Sequence, residues 1–250
     1  MVIASQFVSQ VRLRRDTVAS FERYPFNLPA VRFLESLPMH PQVTFFVGEN
    51  GSGKSTLLEA IAVALGFNPE GGSRHFNFQT RASHSELHAS LRVAKGFKRP
   101  RNGYFLRAES FFNVATQIEA LDGEPAAGQR VIDGYGGQSL HEQSHGESFM
   151  ALLTNRFGKE GLYILDEPEA ALSPQRQLAA LSRIHDLVRE DSQFIIATHS
   201  PILMAYPGAW IYACTPQGLE RVNYEDTEHY QVTRDFLANP QRMLDVLLER

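Results

Sequence analysis

The chain has 250 residues and a mass of 28.1 kDa, enough for one large α/β domain or two small ones. A hydrophobic share of 43% and a net charge of −4 exclude a disordered chain and any overall electrostatic pull toward nucleic acid or anionic membrane. The single cysteine, Cys214, excludes an internal disulfide, and no stretch approaches the ~20 apolar residues of a membrane span, so a soluble cytoplasmic protein without membrane insertion is expected.

Residues 6–14, QFVSQVRLR, alternate apolar and polar side chains as an edge strand does. Residues 24–33, YPFNLPAVRF, carry two prolines and read as loop. VTFFV (43–47) is a short apolar run that meets glycine at once, the pattern of a buried strand, and 55–65 follows as a helix with Gly66 as its stop. HFNFQT (75–80) and GYFLR (103–107) suggest strands, HSELHASLRVA (84–94) a helix between them, and Asn102-Gly103 a hairpin turn. Gly and Pro crowd residues 120–139, which read as loop. Apolar residues at 149, 150, 152, 153 and 157 then mark one face of a helix ended by Gly158. GLYILDEP (161–168) is a strand that ends in two acids. Residues 175–189 form an amphipathic helix, and FIIATHSP (194–201) is a third buried strand. WIYAC (210–214) and LERVNY (219–224) suggest a hairpin, and Asn239-Pro240 the cap and first position of a last helix. Strands alternating with helices predict an α/β fold, a largely parallel sheet with helices on both faces and an N-terminal antiparallel β portion.

Gly48-Glu49-Asn50-Gly51-Ser52-Gly53-Lys54-Ser55 matches G-x-x-x-x-G-K-[ST], with Thr56 behind it. Three glycines let the backbone curl so that successive N–H groups converge on a phosphate at the positive end of the next helix. Lys54 adds a mobile charge for the β- and γ-phosphates, and the Ser55 hydroxyl is a Mg²⁺ ligand. Asp166, at the end of LYILD, suits the acidic partner that Mg²⁺ needs, and Glu167 can orient and deprotonate an attacking water. His199 ends another apolar strand. Alone it reads more readily as a hydrogen-bonded structural residue.

LHEQSHGESF (140–149) holds two overlapping patterns. His141 and His145 fit the zinc-protease H-E-x-x-H, while Ser144-His145-Gly146-Glu147 is a capping box that offers backbone N–H groups to a phosphate. The glycines at 134, 136, 137 and 146 leave too few residues for the helix that a zinc pair requires, and no third histidine is suitably spaced.

Taken together these pieces resemble the ABC-type P-loop ATPases, in the soluble branch related to RecF and the structural-maintenance-of-chromosomes proteins. GENGSGKST is similar to their Walker A motif, LYILDEP to Walker B with its catalytic glutamate, ATHSP to the switch-histidine loop, and Ser144–Glu147 occupies the place of the signature. The likeness spans Gly48 to Pro201, within a single domain of 1–250 with core 43–201 and a C-terminal hairpin and helices at 209–250. It implies ATP and Mg²⁺ as ligands, Glu167 and His199 as catalytic residues, and an ATP-bound homodimer in which each signature acts on the partner's ATP. The family's glutamine loop falls near Arg107–Ser110, where Glu109 is the candidate ligand, with Gln79 an alternative. Ser173 stands where an Asp is common, and Tyr24 and Phe26 are candidates for adenine stacking. Residues 111–143 leave no room for a coiled-coil arm. Three roles remain: a stand-alone ATPase switch, a nucleic-acid repair or defence ATPase, and the motor subunit of a membrane transporter. The second draws on 90–107, which holds six basic residues, no acid and interleaved aromatics.

Overall fold

The computed structural model describes residues 6–73, 85–107, 130–139 and 141–249, with 115, 116, 118, 119 and 122 between them. Its strands are β1 (Val8–Leu13), β2 (Ser36–Pro38), β3 (Val43–Val47), β4 (Gly72–Ser73), β5 (Leu91–Lys95), β6 (Asn102–Arg107), β7 (Gly161–Asp166), β8 (Gln193–Ala197), β9 (Trp210–Thr215) and β10 (Gly218–Val222). The α-helices are α1 (Pro29–Arg32), α2 (Lys54–Ala64), α3 (His145–Ala151), α4 (Pro174–Arg189), α5 (Pro201–Met204), α6 (Glu228–Ala238) and α7 (Pro240–Leu247).

Every residue of β3, β7 and β8 is buried. Such strands need cover on both faces, and a parallel sheet with crossover helices supplies it. The large sheet runs β10-β9-β3-β8-β7-β6-β4. Its five inner strands are parallel, while β10 and β4 pair antiparallel at the two edges. Side chains alternate between its faces. Phe45, Tyr163, Leu165, Phe194 and Ile196 pack with Phe149, Leu152, Ile184 and Leu187 on one side. Phe46, Leu162, Ile164 and Ile195 pack with Leu57, Leu58 and Ile61 of α2 on the other. Helix α4 buries Ala180, Ile184, Leu187 and Val188, the i, i+4, i+7, i+8 stripe of a one-faced helix. Helix α2 is buried more widely, because a small antiparallel sheet, β2-β1-β5, packs on its outer side.

Four expectations are corrected here. β1 is the middle strand of its sheet, because β2 and β5 flank it on either side. Residues 84–94 do not form one helix: a 3-10 turn spans Glu86–Ser90, and Leu91–Lys95 is a strand that completes the small sheet. Asn102-Gly103 opens β6 and is no hairpin turn, since β5 and β6 belong to different sheets. Within 24–33, expected as loop, the short helix α1 forms behind Pro29, while α6 and α7 are the helices expected after the C-terminal hairpin. The segment HFNFQT lies outside the described residues.

One buried side chain joins the two sheets. Gln193 opens β8 with no exposed surface. Its Oε1 accepts from the Phe7 and Val8 N–H groups at 3.0 and 2.8 Å, and its Nε2 donates to the Val8 and His40 carbonyls at 2.8 and 2.9 Å. The amide thus satisfies backbone groups that enter β1 and β3 and that neither sheet ladder reaches. Replacing it by a similar-sized apolar residue strands several polar groups at about 1–3 kcal/mol each. Gln193→Leu is expected to lower stability by about 3 kcal/mol or more in urea unfolding; a loss under about 1 kcal/mol would show that this amide is dispensable.

Candidate functional site

The parallel strands end in register. Tyr212, Phe46, Ala197, Asp166 and Arg107 lie side by side across β9, β3, β8, β7 and β6. The residues just beyond that row are therefore neighbours: Gly48, Glu167, Thr198 and His199, the exits of three strands. Open parallel sheets place their ligand crevices at this edge.

The loop after β3 bends at Gly48, Gly51 and Gly53, with φ of 143°, 79° and 98°. A side chain at Gly48 would also meet the Cys214 carbonyl oxygen at 2.9 Å, so both the torsion and the close approach exclude one. Cys214 lies behind the loop, where burial pushes its thiol up to about 11. Lys54 is buried and donates to the carbonyls of Gly48 and Glu49 at 2.7 and 2.8 Å, bracing the curl from inside. Burial lowers its pKa, opposed by the nearby Cys214, Glu167 and Asp166. The Ser55 hydroxyl donates to Asp166 Oδ1 at 3.0 Å, which places a hydroxyl and a carboxylate within reach of one cation. That oxygen pair suits Mg²⁺. Gly48–Ser52 form one wall of a cleft of about 650 Å³, with 213–216 and Asp226–His229 opposite. Glu49, Asn50, Glu167, His199, Glu228 and His229 line an adjoining cleft of about 630 Å³. Either could accept part of a nucleotide.

Glu167 leaves β7 in the left-handed region at φ 51°, held by its N–H bond to the Ala197 carbonyl at 2.9 Å. Its carboxylate Oε1 lies 3.4 Å from His199 Nε2. That nitrogen is shielded from solvent and makes no hydrogen bond of good geometry. On its other edge, His199 Nδ1 is 3.0 Å from Nε2 of His229, at the start of α6. Glu169 fixes the approach of the histidine loop: it accepts from the Thr198 hydroxyl at 2.7 Å and from the His199 N–H at 2.5 Å. Gln177 of α4 adds a second tie, accepting from the Ser200 hydroxyl at 2.5 Å and donating to the Leu172 carbonyl at 3.0 Å. Neither Glu169, Gln177 nor His229 was singled out from sequence. Glu169 sits two residues after a recognisable acid pair, which is the one local signal available. His229 is brought in from a remote helix and leaves none.

Ser144 caps α3 with a complete capping box: its hydroxyl accepts from the Glu147 N–H at 3.4 Å, and its own N–H donates to Glu147 Oε2 at 3.0 Å. The Ser144 hydroxyl also donates to Glu147 Oε2 at 2.7 Å, and this bond first, then the Ser144 N–H, lowers the Glu147 pKa. Arg176 of α4 also donates to Glu147 Oε1 at 3.2 Å. His145 is exposed at the first helical position, while Gly146 is buried so tightly that a Cβ there would meet the Ala171 carbonyl oxygen at 2.7 Å. The Ser144–Glu147 turn therefore packs on the stretch that follows Glu167. The zinc alternative fails: His141 precedes the helix, contacts Thr116 and Glu119, and among the described residues no three His, Cys, Asp or Glu side chains form a metal cluster.

Tyr24 is 63% exposed, with its hydroxyl 3.4 Å from that of Thr56, so its ring is available beside the loop. Phe26 is buried in the core and is not available for stacking. Ser173 caps α4 through the Arg176 N–H at 3.4 Å. Glu109 and Gln79 lie outside the described residues.

A family model described as an AAA domain matches residues 18–124. A second AAA-domain model, whose description names a candidate AbiEii toxin of a Type IV TA system, matches residues 92–205. The chain is 26% identical over 207 residues to ABC transporter E family member 1 of Arabidopsis thaliana, which covers 78% of this chain and 34% of the relative. It is 26% identical over 189 residues to an uncharacterized ABC transporter ATP-binding protein of Haemophilus influenzae, covering 67% of each. This chain thus spans about a third of the plant protein's length. Among solved structures it is similar to an SMC head bound to the C-winged helix domain of ScpA, at 14% identity and TM-score 0.49 over 86% of this chain and 97% of that one. It is also similar to the SMC head domain from Thermotoga maritima, at 16% identity and TM-score 0.44 over 87% and 98%. The phosphate loop on β3, the acid pair on β7 and the histidine on β8, together with the partial family-model matches and the relatives, support a likeness to the ABC-type P-loop ATPases.

Proposed function

We propose that this chain binds and hydrolyses ATP with Mg²⁺, and that two copies close head to tail around two ATP molecules as a switch for a partner in the cytoplasm. The observation that carries the reading is the meeting of Lys54, Ser55, Asp166, Glu167 and His199 at one sheet edge, from three strands. Residues 1–250 are taken as one ATPase domain.

Gly48 to Thr56 would hold the triphosphate, with the Lys54 ammonium exchanging its two carbonyl partners for phosphate oxygens. Ser55 and Asp166 would hold Mg²⁺, which when bound neutralises charge on the β- and γ-phosphates. Glu167 is placed to take a proton from a water whose oxygen forms the new bond to the γ-phosphorus while the bond to the β–γ bridging oxygen breaks. ADP and inorganic phosphate leave. His199 would donate to a γ-phosphate oxygen. The Ser144–Glu147 turn would face the ATP of the second copy, as the family resemblance implies. Closure then depends on the γ-phosphate, so hydrolysis reopens the pair.

A second reading, the nucleotide-binding subunit of a membrane transporter, is favoured by the names of the two relatives. No helix among the described residues is long and apolar enough to cross a membrane. A membrane protein retained by the ATP-locked form would support that role. The nucleic-acid reading has less charge behind it than the sequence count suggests. Arg101 and Lys98 pair with Glu160 at 2.9 and 3.7 Å, and Arg107 pairs with Glu59 at 2.6 Å.

Glu167→Gln should lower kcat for ATP by about 10²–10⁴-fold and sediment as a dimer with ATP and Mg²⁺ but as a monomer with a chelator. A monomer under both conditions would sink the switch. Lys54→Ala should abolish measurable nucleotide binding in calorimetry, since the phosphate charge loses its only lysine partner in the loop. Gly146→Ala must displace the Ala171 backbone or the turn itself. It is expected to keep ATP affinity within about twofold while losing ATP-dependent dimerisation, because its own phosphate loop is untouched. Equal loss of both would show that the turn acts on its own chain's site.

A further inference from the structure

We propose that His229 is a positioning residue for His199: its Nε2–H donates to His199 Nδ1 and so holds the His199 proton on Nε2, facing Glu167. The assignment rests on the ATP-site reading above and adds to it a residue from outside the strand-exit motifs.

The 3.0 Å separation of His199 Nδ1 and His229 Nε2 requires one nitrogen to donate and the other to accept. With both rings neutral, two arrangements are possible. If His199 donated through Nδ1, its Nε2 would present a bare lone pair to the Glu167 carboxylate at 3.4 Å, an acceptor facing an acceptor. If His229 donates, the His199 proton sits on Nε2, 3.4 Å from that carboxylate oxygen, where its positive end is attracted. The buried, otherwise unbonded Nε2 is then a donor held ready. The surroundings agree. Burial first, then His199 and Lys54, lower the His229 pKa and so favour the neutral ring, which has one proton to give; Glu228 and Glu49 oppose the shift.

The rest of the fold holds His229 in place. Thr227 is buried and caps α6, accepting from the Tyr230 N–H at 3.4 Å and donating to the Tyr224 carbonyl at 2.7 Å. The Tyr224 hydroxyl donates to the Pro201 carbonyl at 2.9 Å, two residues after His199. Residues 231 to 242 are exposed, so α6 is docked only at the turn that carries His229. This remote turn is thereby tied to the same segment it orients. Its role is distinct from the catalytic one of Glu167, since His229 acts on the reaction only through His199.

The test uses the full chain. In ¹⁵N imidazole spectra without nucleotide, with the His199 signals assigned through His199→Asn, the wild type should carry its His199 proton on Nε2. His229→Ala should shift His199 toward a mixture of tautomers and lower kcat for ATP by about tenfold with KM unchanged. His229→Gln, whose side-chain amide can donate from a similar position, should restore most of the rate. A wild-type His199 proton on Nδ1 would overturn the proposal, as would His229→Ala with unchanged tautomer and kcat. A wild type with no ATP turnover would count against the proposed function, and the spectra would still decide the tautomer.

Discussion

Strands β3, β7 and β8 are mostly apolar and buried on both faces, and their parallel register is the constraint on which the site depends. A strand advances about 3.3 Å per residue and alternates its side chains, so a slip of one residue would move every group and turn it to the other face. The row that joins Phe46, Ala197 and Asp166 therefore sets the 3.0 Å contact of Ser55 with Asp166 and the 3.4 Å contact of Glu167 with His199. Core packing on two faces, and no single polar bond, holds that register.

Beyond the sheet edge the chain is irregular, and side chains take over from ladders. Glu169 accepts from both Thr198 and His199, while Gln177 bridges Leu172 and Ser200. The segment after the acid pair and the histidine loop thus form one hydrogen-bonded unit. Gly146 rests on that unit at Ala171. A contact made at the Ser144–Glu147 turn has a packed and bonded route to Glu167 and His199, the kind of element whose equilibrium a ligand at either end can bias.

Long-range polar ties of this kind are hard to read from a linear sequence. Gln193 bonds Val8 across 185 positions, and His229 meets His199 across 30. Nothing near Gln193 distinguishes it from an ordinary polar strand start, and the apolar residues Val232, Phe236 and Leu237 of α6 face solvent, so the helix does not show its docking by a buried stripe. The Thr227 cap is the local signal that places the start of α6. Residues 84–94 misled for another reason: a short amphipathic segment fits a helix or a turn followed by a strand, and pairing with β1 decided for the strand.

By itself the sequence determined the pieces whose physics is local. These were the glycines of the phosphate loop, the short apolar-rich strands, the amphipathic α4, the Ser144 capping box and the Asn239-Pro240 start of the last helix. Each depends on backbone torsion, burial pattern or a bond within four residues, so neighbouring letters suffice. Tertiary structure alone decided which strand exits meet, that Phe26 belongs to the core, that β1 lies between two partners, and that a histidine from a remote helix stands behind His199. Those outcomes depend on contacts between segments far apart in the chain, set by how the two faces of the sheet are covered.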